Sequence, residues 1–177
     1  FDTAANVCDE SVSVTAVKIQ EYPDTVSAST DSLDAYSIES ILDTNDNTVW
    51  WADTNTNEYI TWKLESAADV IQMKLQAPSK SGDSSQAPTS WTLYGSNTGY
   101  FGGEETTIET QSSQSWSDGE TKTYDFTNGT SYLYYRLKMT TTNNERLGVN
   151  SMSLYSEVTS EDRYTVNGPL ETAQTPK

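Results

Sequence analysis

The sequence predicts an all-β protein built as an antiparallel β-sandwich, and three observations carry that prediction. Short segments rich in Thr, Val, Ile and aromatic residues recur with like side chains at every second position, the period of a strand with one buried face. Turn-forming stretches separate them, notably APSKSGDSSQAP (77–88), GSNTGYFGG (95–103) and SWSDGE (115–120). The 3.6-residue period of an amphipathic helix is nearly absent.

The elements follow in chain order. SVTAVKIQ (13–20) is one strand inside a polar arm, so residues 1–22 are expected to form an N-terminal extension. LDAYSIESIL (33–42) is the best helical candidate, a single turn capped by Asp31 or Ser32. EYITWKL (58–64), VIQMKLQA (70–77), SWTLYGS (90–96), TKTYDF (121–126), SYLYYRLKM (131–139) and VNSMSLY (149–155) are the remaining strands of a domain spanning 23–156. The segment 157–177 carries Pro169 and Pro176 among polar residues and reads as a C-terminal tail, a linker or a contact with neighbouring chains. Asn128-Gly129-Thr130 is either a glycosylation acceptor or an Asn-Gly turn between two strands.

Composition narrows the function. A formal charge of −16, with ten Lys and Arg against 26 Asp and Glu, lacks the basic footprint of a nucleic-acid binder. Such acidity attracts divalent cations or simply keeps the chain soluble. No apolar run approaches the roughly 20 residues needed to cross a bilayer, and a first residue Phe1 is compatible with a leader already removed. Cys8 is the single cysteine, which excludes an intrachain disulfide and leaves a free thiol or an intermolecular bridge. Histidine is absent, so the usual general base and the His-dependent nucleophilic arrangements are absent too. The scattered carboxylates select no acid/base pair, and the chain is expected not to be an enzyme.

One loop concentrates oxygen donors. ILDTNDNTVWW (41–51) places Asp43, Asn45, Asp46, Asn47 and Thr48 together, the hard ligands that Ca²⁺ needs when six to eight must converge. It opens like an EF-hand but departs from one, with Thr48 where the sharp turn needs Gly and Thr54 where a closing Glu belongs. The alternative is an Asx-rich turn that caps its own amides.

Taken in order, VSASTDSLDAYSIESILDTNDNTVWW, YITWKLE, APTSWTLYGSNTG, WSDGETKTYDF, YLYYRLKMT and VNSMSLY resemble the discoidin family, the type C domains first named from coagulation factors five and eight, over roughly residues 24–156. The resemblance implies a galactose-binding-like jelly roll whose loops at one end receive a ligand, in relatives that hold sugars, lipid headgroups or proteins without catalysis. It implies Ca²⁺ on a loop of the form D-x-D-x-x-T-x-W, matched here by Asp43, Asn45, Thr48 and Trp50, with Trp50 in the core. Ser151 stands where relatives often supply a Glu from the last strand, and Asp46 is an additional acid in the loop. The expected metal set is therefore Asp43, Asn45, Asp46, Thr48 and Ser151, with the lost carboxylate lowering affinity.

The late loop TTTNNERLG (140–148) lies at the ligand end in this family. Trp51 is expected either to stack on a sugar or to be buried against its own sheet, while Asn143, Asn144 and Arg146 hydrogen-bond the hydroxyls. Arg146 has the alternative of pairing with Glu145. Tyr100 and Phe101 are further candidates in the loop 97–103. Galactose relatives use a His that this chain lacks, so galactose specificity does not carry over, and the acidic surface disfavours anionic lipid. The reading is a calcium-dependent glycan-binding or adhesion module on a cell or virion surface, extracellular in either case. The alternative is a structural or assembly subunit whose terminal arms contact neighbouring copies.

Overall fold

The structure is a computed structural model that describes residues 16–30, 37–43, 45, 47–142 and 146–158. Cys8, Asp31, Ser32, Asp46, Asn143, Asn144 and Glu145 lie outside the described residues, as do 1–15 and 159–177. The described strands are β1 (Val17–Glu21), β2 (Pro23–Ala28), β3 (Trp50–Trp51), β4 (Glu58–Ala68), β5 (Val70–Gln76), β6 (Ser90–Ser96), β7 (Thr106–Gln111), β8 (Thr121–Asp125), β9 (Tyr132–Thr140), β10 (Gly148–Val149) and β11 (Ser151–Val158). They form a four-stranded sheet ordered β1-β11-β5-β8, a five-stranded sheet ordered β2-β4-β9-β6-β7 and a two-stranded ribbon β10-β3, with every pairing antiparallel.

Alternation in sequence sets the layers. On β4 the residues Ile60, Trp62 and Leu64 point inward, and β9 answers with Tyr135, Leu137 and Met139 while β6 adds Trp91 and Leu93. The four-stranded sheet contributes Met73, Leu75, Met152 and Leu154 to the same core, and Trp50 closes it at one end. The chain passes from one sheet to the other at Ala68-Asp69-Val70. There the Tyr135 hydroxyl donates to the Ala68 carbonyl at 2.5 Å and accepts from the Val70 amide at 3.1 Å. Burial pushes the Tyr135 hydroxyl up to about 12, so it stays protonated and able to donate.

Several sequence expectations shift. Val17–Glu21 is paired residue by residue with β11, so it is an edge strand of the sandwich and the expected extension through residue 22 ends earlier. The helical turn expected over 33–42 is a 3-10 turn at Ile38–Leu42 with Ser37 at its N-cap position. At the expected Asn128-Gly129 turn, Gly129 takes φ +71 and the Asn128 side chain donates to the Thr130 carbonyl, but the segment links β8 and β9 of opposite sheets and makes no hairpin. No helix among the described residues is long and apolar enough to cross a membrane.

Candidate functional site

The loops at one end of the sandwich are tied down by a buried carboxylate. Glu58 opens β4 and is 4 % exposed; it accepts from the Thr54 hydroxyl at 2.5 Å, the Thr54 amide at 3.2 Å and the Thr30 hydroxyl at 3.3 Å, and Ser29 donates to it as well. Thr30 in turn accepts from the Asp53 amide at 3.1 Å, and its carbonyl takes the indole N–H of Trp50 at 3.0 Å. A buried anion is tolerated because several donors satisfy it. This network fixes segment 52–57, which is zipped to the late loop by Ala52 to Leu147, Leu147 to Thr54 and Thr141 to Asn55 backbone bonds.

Trp51 does not present a free stacking face. It pairs with Gly148 in the ribbon and is 4 % exposed. Its ring lies so close to the Gly148 backbone that a Cβ there would stand 2.0 Å from the indole, which is why that position is Gly. The Arg146 guanidinium covers the ring at 4.3 Å from its centroid. The expected sugar-stacking role of Trp51 is therefore corrected: the indole is a buried base on which an exposed arginine rests, held by the cation–π attraction between guanidinium and ring face. Arg146 thereby presents its N–H edge at the rim, a planar donor set suited to vicinal hydroxyls or a carboxylate. Of the expected ligand residues, the structure brings Trp51 and Arg146 together, and Asn143 and Asn144 are outside the described residues.

The oxygen-rich loop folds around Thr48. Asp43 ends the 3-10 turn, and its carboxylate oxygens lie 2.8 and 3.0 Å from the Thr48 hydroxyl, which also lies 2.7 Å from the Asn45 carbonyl. One hydroxyl has one proton, so it serves only one of these three acceptors at a time. The Asn45 carbonyl also accepts from the Thr48 amide at 3.0 Å, so the oxygens gathered here are hard donors of the kind a calcium ion takes but are already engaged within the loop. Two Asx turns accompany it, Asn45 N–H to Asp43 Oδ1 at 2.8 Å and Asn47 N–H to Asn45 Oδ1 at 3.1 Å.

Asn45 therefore turns its main-chain carbonyl toward the Thr48 hydroxyl while its side chain accepts from the Asn47 amide. Ser151 donates to Gln76 Oε1 at 3.0 Å, an acceptor it shares with the Asn150 amide, yet it lines the same depression of about 400 Å³ as Asp43. Among the described residues no group of three Asp, Glu, Cys or His converges. The donors fit a low-charge Ca²⁺ site rather than a tight one.

No protein-family model matches the sequence, and no curated protein matches it. Solved structures do. The family 32 carbohydrate-binding module of AlyQ, in complex with 4,5-unsaturated mannuronic acid, matches with a TM-score of 0.60 at 22 % identity, over 77 % of this chain and 97 % of that one. The family 32 module of C. perfringens NanJ, in complex with galactose, gives 0.62 at 17 % identity over 79 % and 100 %. An F5/8 type C domain from Bacteroides fragilis gives 0.63 at 15 % identity over 81 % and 97 %. The chain has the fold of these discoidin-like domains, the galactose-binding-like jelly roll that its sequence resembles.

Proposed function

We propose that this chain is a non-catalytic glycan-binding module, working outside the cell, that engages sugar at the loop end beside Arg146 with Ca²⁺ bracing the neighbouring loop. The observation that carries the reading is the exposed Arg146 guanidinium resting over the ring of buried Trp51, on a fold shared with modules whose structures hold galactose and unsaturated mannuronic acid. Asp43 through its carboxylate, Asn45 through its carbonyl and Thr48 through its hydroxyl would hold the cation, with Asp46 and Ser151 as further candidates. The ion would contribute only loop order. With so little carboxylate among its ligands its Kd belongs in the weak range of extracellular modules, about 10⁻⁴–10⁻³ M.

A glycan array in calcium buffer tests the sugar: bound glycans should lose at least tenfold in affinity with Arg146→Ala, a substitution at an exposed residue that spares the core. Silence across neutral and acidic glycans rejects lectin activity. Calorimetric titration of chelator-treated protein tests the ion, and absence of both heat and a melting shift at millimolar Ca²⁺ removes it.

One observation favours an assembly role as a second reading. Val17 pairs with Val158, so the segments before β1 and after β11 depart from the same corner of the same sheet edge. Two chain ends anchored at one corner suit contact with a neighbouring copy. Light scattering of the full chain against one lacking residues 1–15 and 159–177 decides this, and a monomeric full chain at all concentrations rejects it.

A further inference from the structure

The outward residues of the five-stranded sheet gather a feature that the rim does not explain. Tyr59 and Thr61 of β4, Arg136 and Lys138 of β9, and Thr92 and Tyr94 of β6 share that face, in rungs that set Thr61 and Tyr94 on either side of Arg136 and Tyr59 and Thr92 on either side of Lys138. The Arg136 guanidinium lies 4.1 Å from the Tyr59 ring centroid and 4.0 Å from that of Phe101, enclosed between the two rings. Its Nε–H donates to Thr61 Oγ1 at 2.9 Å. Of five guanidinium N–H groups that is the one with a protein acceptor among the described residues, so the terminal edge of the fork is held in place and unused.

The second ring is put there at a cost. Phe101 adopts φ +50, a left-handed conformation that a bulky residue seldom takes. The loop is wound around the Glu104 carboxylate, which accepts from Ser96 Oγ and Thr98 Oγ1 at 2.7 Å each and from the Phe101 and Gly102 amides at 3.1 and 3.0 Å. The hydroxyl and amide donors hold Glu104 well below the usual carboxylate range. The neighbouring Glu105 lines the depression but turns an oxygen onto the Gly103 amide at 2.8 Å.

Two cations stand side by side here and are open to an outside anion. Elsewhere Lys18 is paired with Asp125 and Lys63 with Asp24. Among the described residues no carboxylate stands within 4.0 Å of the Arg136 or Lys138 cationic groups. Burial draws the Arg136 guanidinium below its ordinary pKa, against the opposing pull of Tyr59, Glu105 and Glu104, and it remains charged at neutral pH. The depression around it, about 210 Å³, continues along the sheet into one of about 350 Å³, the two sharing Tyr94 and Lys138. Together they reach the size of a small-ligand site.

We propose that this groove is a second carbohydrate site, distinct from the rim, that takes a uronate chain: Arg136 grips a sugar carboxylate through its open fork, Lys138 meets the next carboxylate, and Tyr94 supplies a ring on which a pyranose rests. An arginine fork matches a planar carboxylate in two parallel hydrogen bonds. The aromatic wall adds what a simple anion cannot use. The chain's net negative charge opposes a polyanion at distance, but at about 0.15 M salt the screening length of about 8 Å removes most of that repulsion and leaves the contacts.

The test titrates isotope-labelled full chain, at that ionic strength, with trimers of galacturonate, mannuronate and glucuronate, with their carboxyl-reduced counterparts and with inorganic phosphate. At least one uronate trimer should shift the resonances of Tyr59, Tyr94, Phe101 and Arg136. Arg136→Gln should weaken it tenfold or more and Lys138→Gln about threefold. Phe101→Gly, which suits the left-handed backbone and so preserves the fold, should weaken it about fivefold. Unmoved groove resonances with all three trimers overturn the proposal, as does equal binding of the reduced trimers or phosphate, or an Arg136→Gln variant that melts normally and binds undiminished. Shifts confined to the surroundings of Arg146 would support the rim reading while rejecting this one, and groove shifts with a silent rim would do the reverse.

Discussion

On the outer face of the four-stranded sheet, Lys18 reaches across the two inner strands to Asp125, and Gln72 donates to the same carboxylate at 2.6 Å. Gln20 and Ser153 meet at 3.5 Å, Ser151 donates to Gln76, and the Lys74 ammonium sits 5.0 Å above the Tyr155 ring. On the outer face of the five-stranded sheet Lys63 likewise pairs with Asp24, but the same alternation also delivers Tyr59, Arg136, Lys138 and Tyr94, where Arg136 meets rings and Lys138 is exposed. The first face spends its polar groups on itself and this part of the second keeps donors in reserve. Both patterns look alike along the chain, because polarity at every second position says which residues face out and nothing about which of them will meet. Cross-strand register decides that.

Three substitutions break or sharpen the contrast. Tyr135→Phe carries the largest expected effect, because it removes the hydroxyl that joins the sheets and leaves the Ala68 carbonyl and Val70 amide without it. Chemical denaturation should show a loss of about 2 kcal/mol, and because the joint serves both sheets, both should be lost together in one transition rather than one before the other.

Glu104→Gln comes next and should act on the five-stranded face alone. A carboxyl whose folded pKa lies below its unfolded value of about 4.3 stabilises fully above that pH and loses its contribution as pH falls toward the folded value. The melting temperature of the variant should therefore trail the wild type at pH 7, and the gap should narrow steadily below about pH 4. A gap that widens in acid would mean the carboxylate is not what winds the loop. Lys74→Gln on the other face is the smallest: less than about 1 kcal/mol from a single exposed cation–π contact, read by denaturation, with no change in uronate affinity.

The strands at 58–64, 70–77, 90–96, 131–139 and 149–155 were legible because large apolar residues recur at every second position, and 121–126 because Tyr124 and Phe126 hold the same period. Pro23–Ala28 and Thr106–Gln111 were not, since PDTVSA and TTIETQ are edge strands with almost nothing apolar to bury. Of the two readings open for Trp51, sugar stacking or burial, the structure shows burial: the β3–β10 ribbon lies at the end of the sandwich, where the core covers Trp50 and Arg146 covers Trp51.

Asp43 and Thr48 were found together as their spacing suggested, because a short loop lets local spacing stand for distance. The Arg136 groove had no such local signature: its parts lie at 59, 94, 101 and 136. Its one signal is that EYITWKL, WTLYGS and YYRLKM all carry aromatic or cationic residues at the positions that alternate with the core, and that signal becomes a site only when the three strands are laid side by side.

The pairing of Val17 with Val158 has a mechanical consequence. If the module is tethered through both ends, a pull arrives at the first rung of the β1–β11 ladder and loads its hydrogen bonds one after another, like a zipper, rather than all at once in shear. β1 would peel away under modest tension while the other three strands of that sheet and the whole of the opposite one kept their shape.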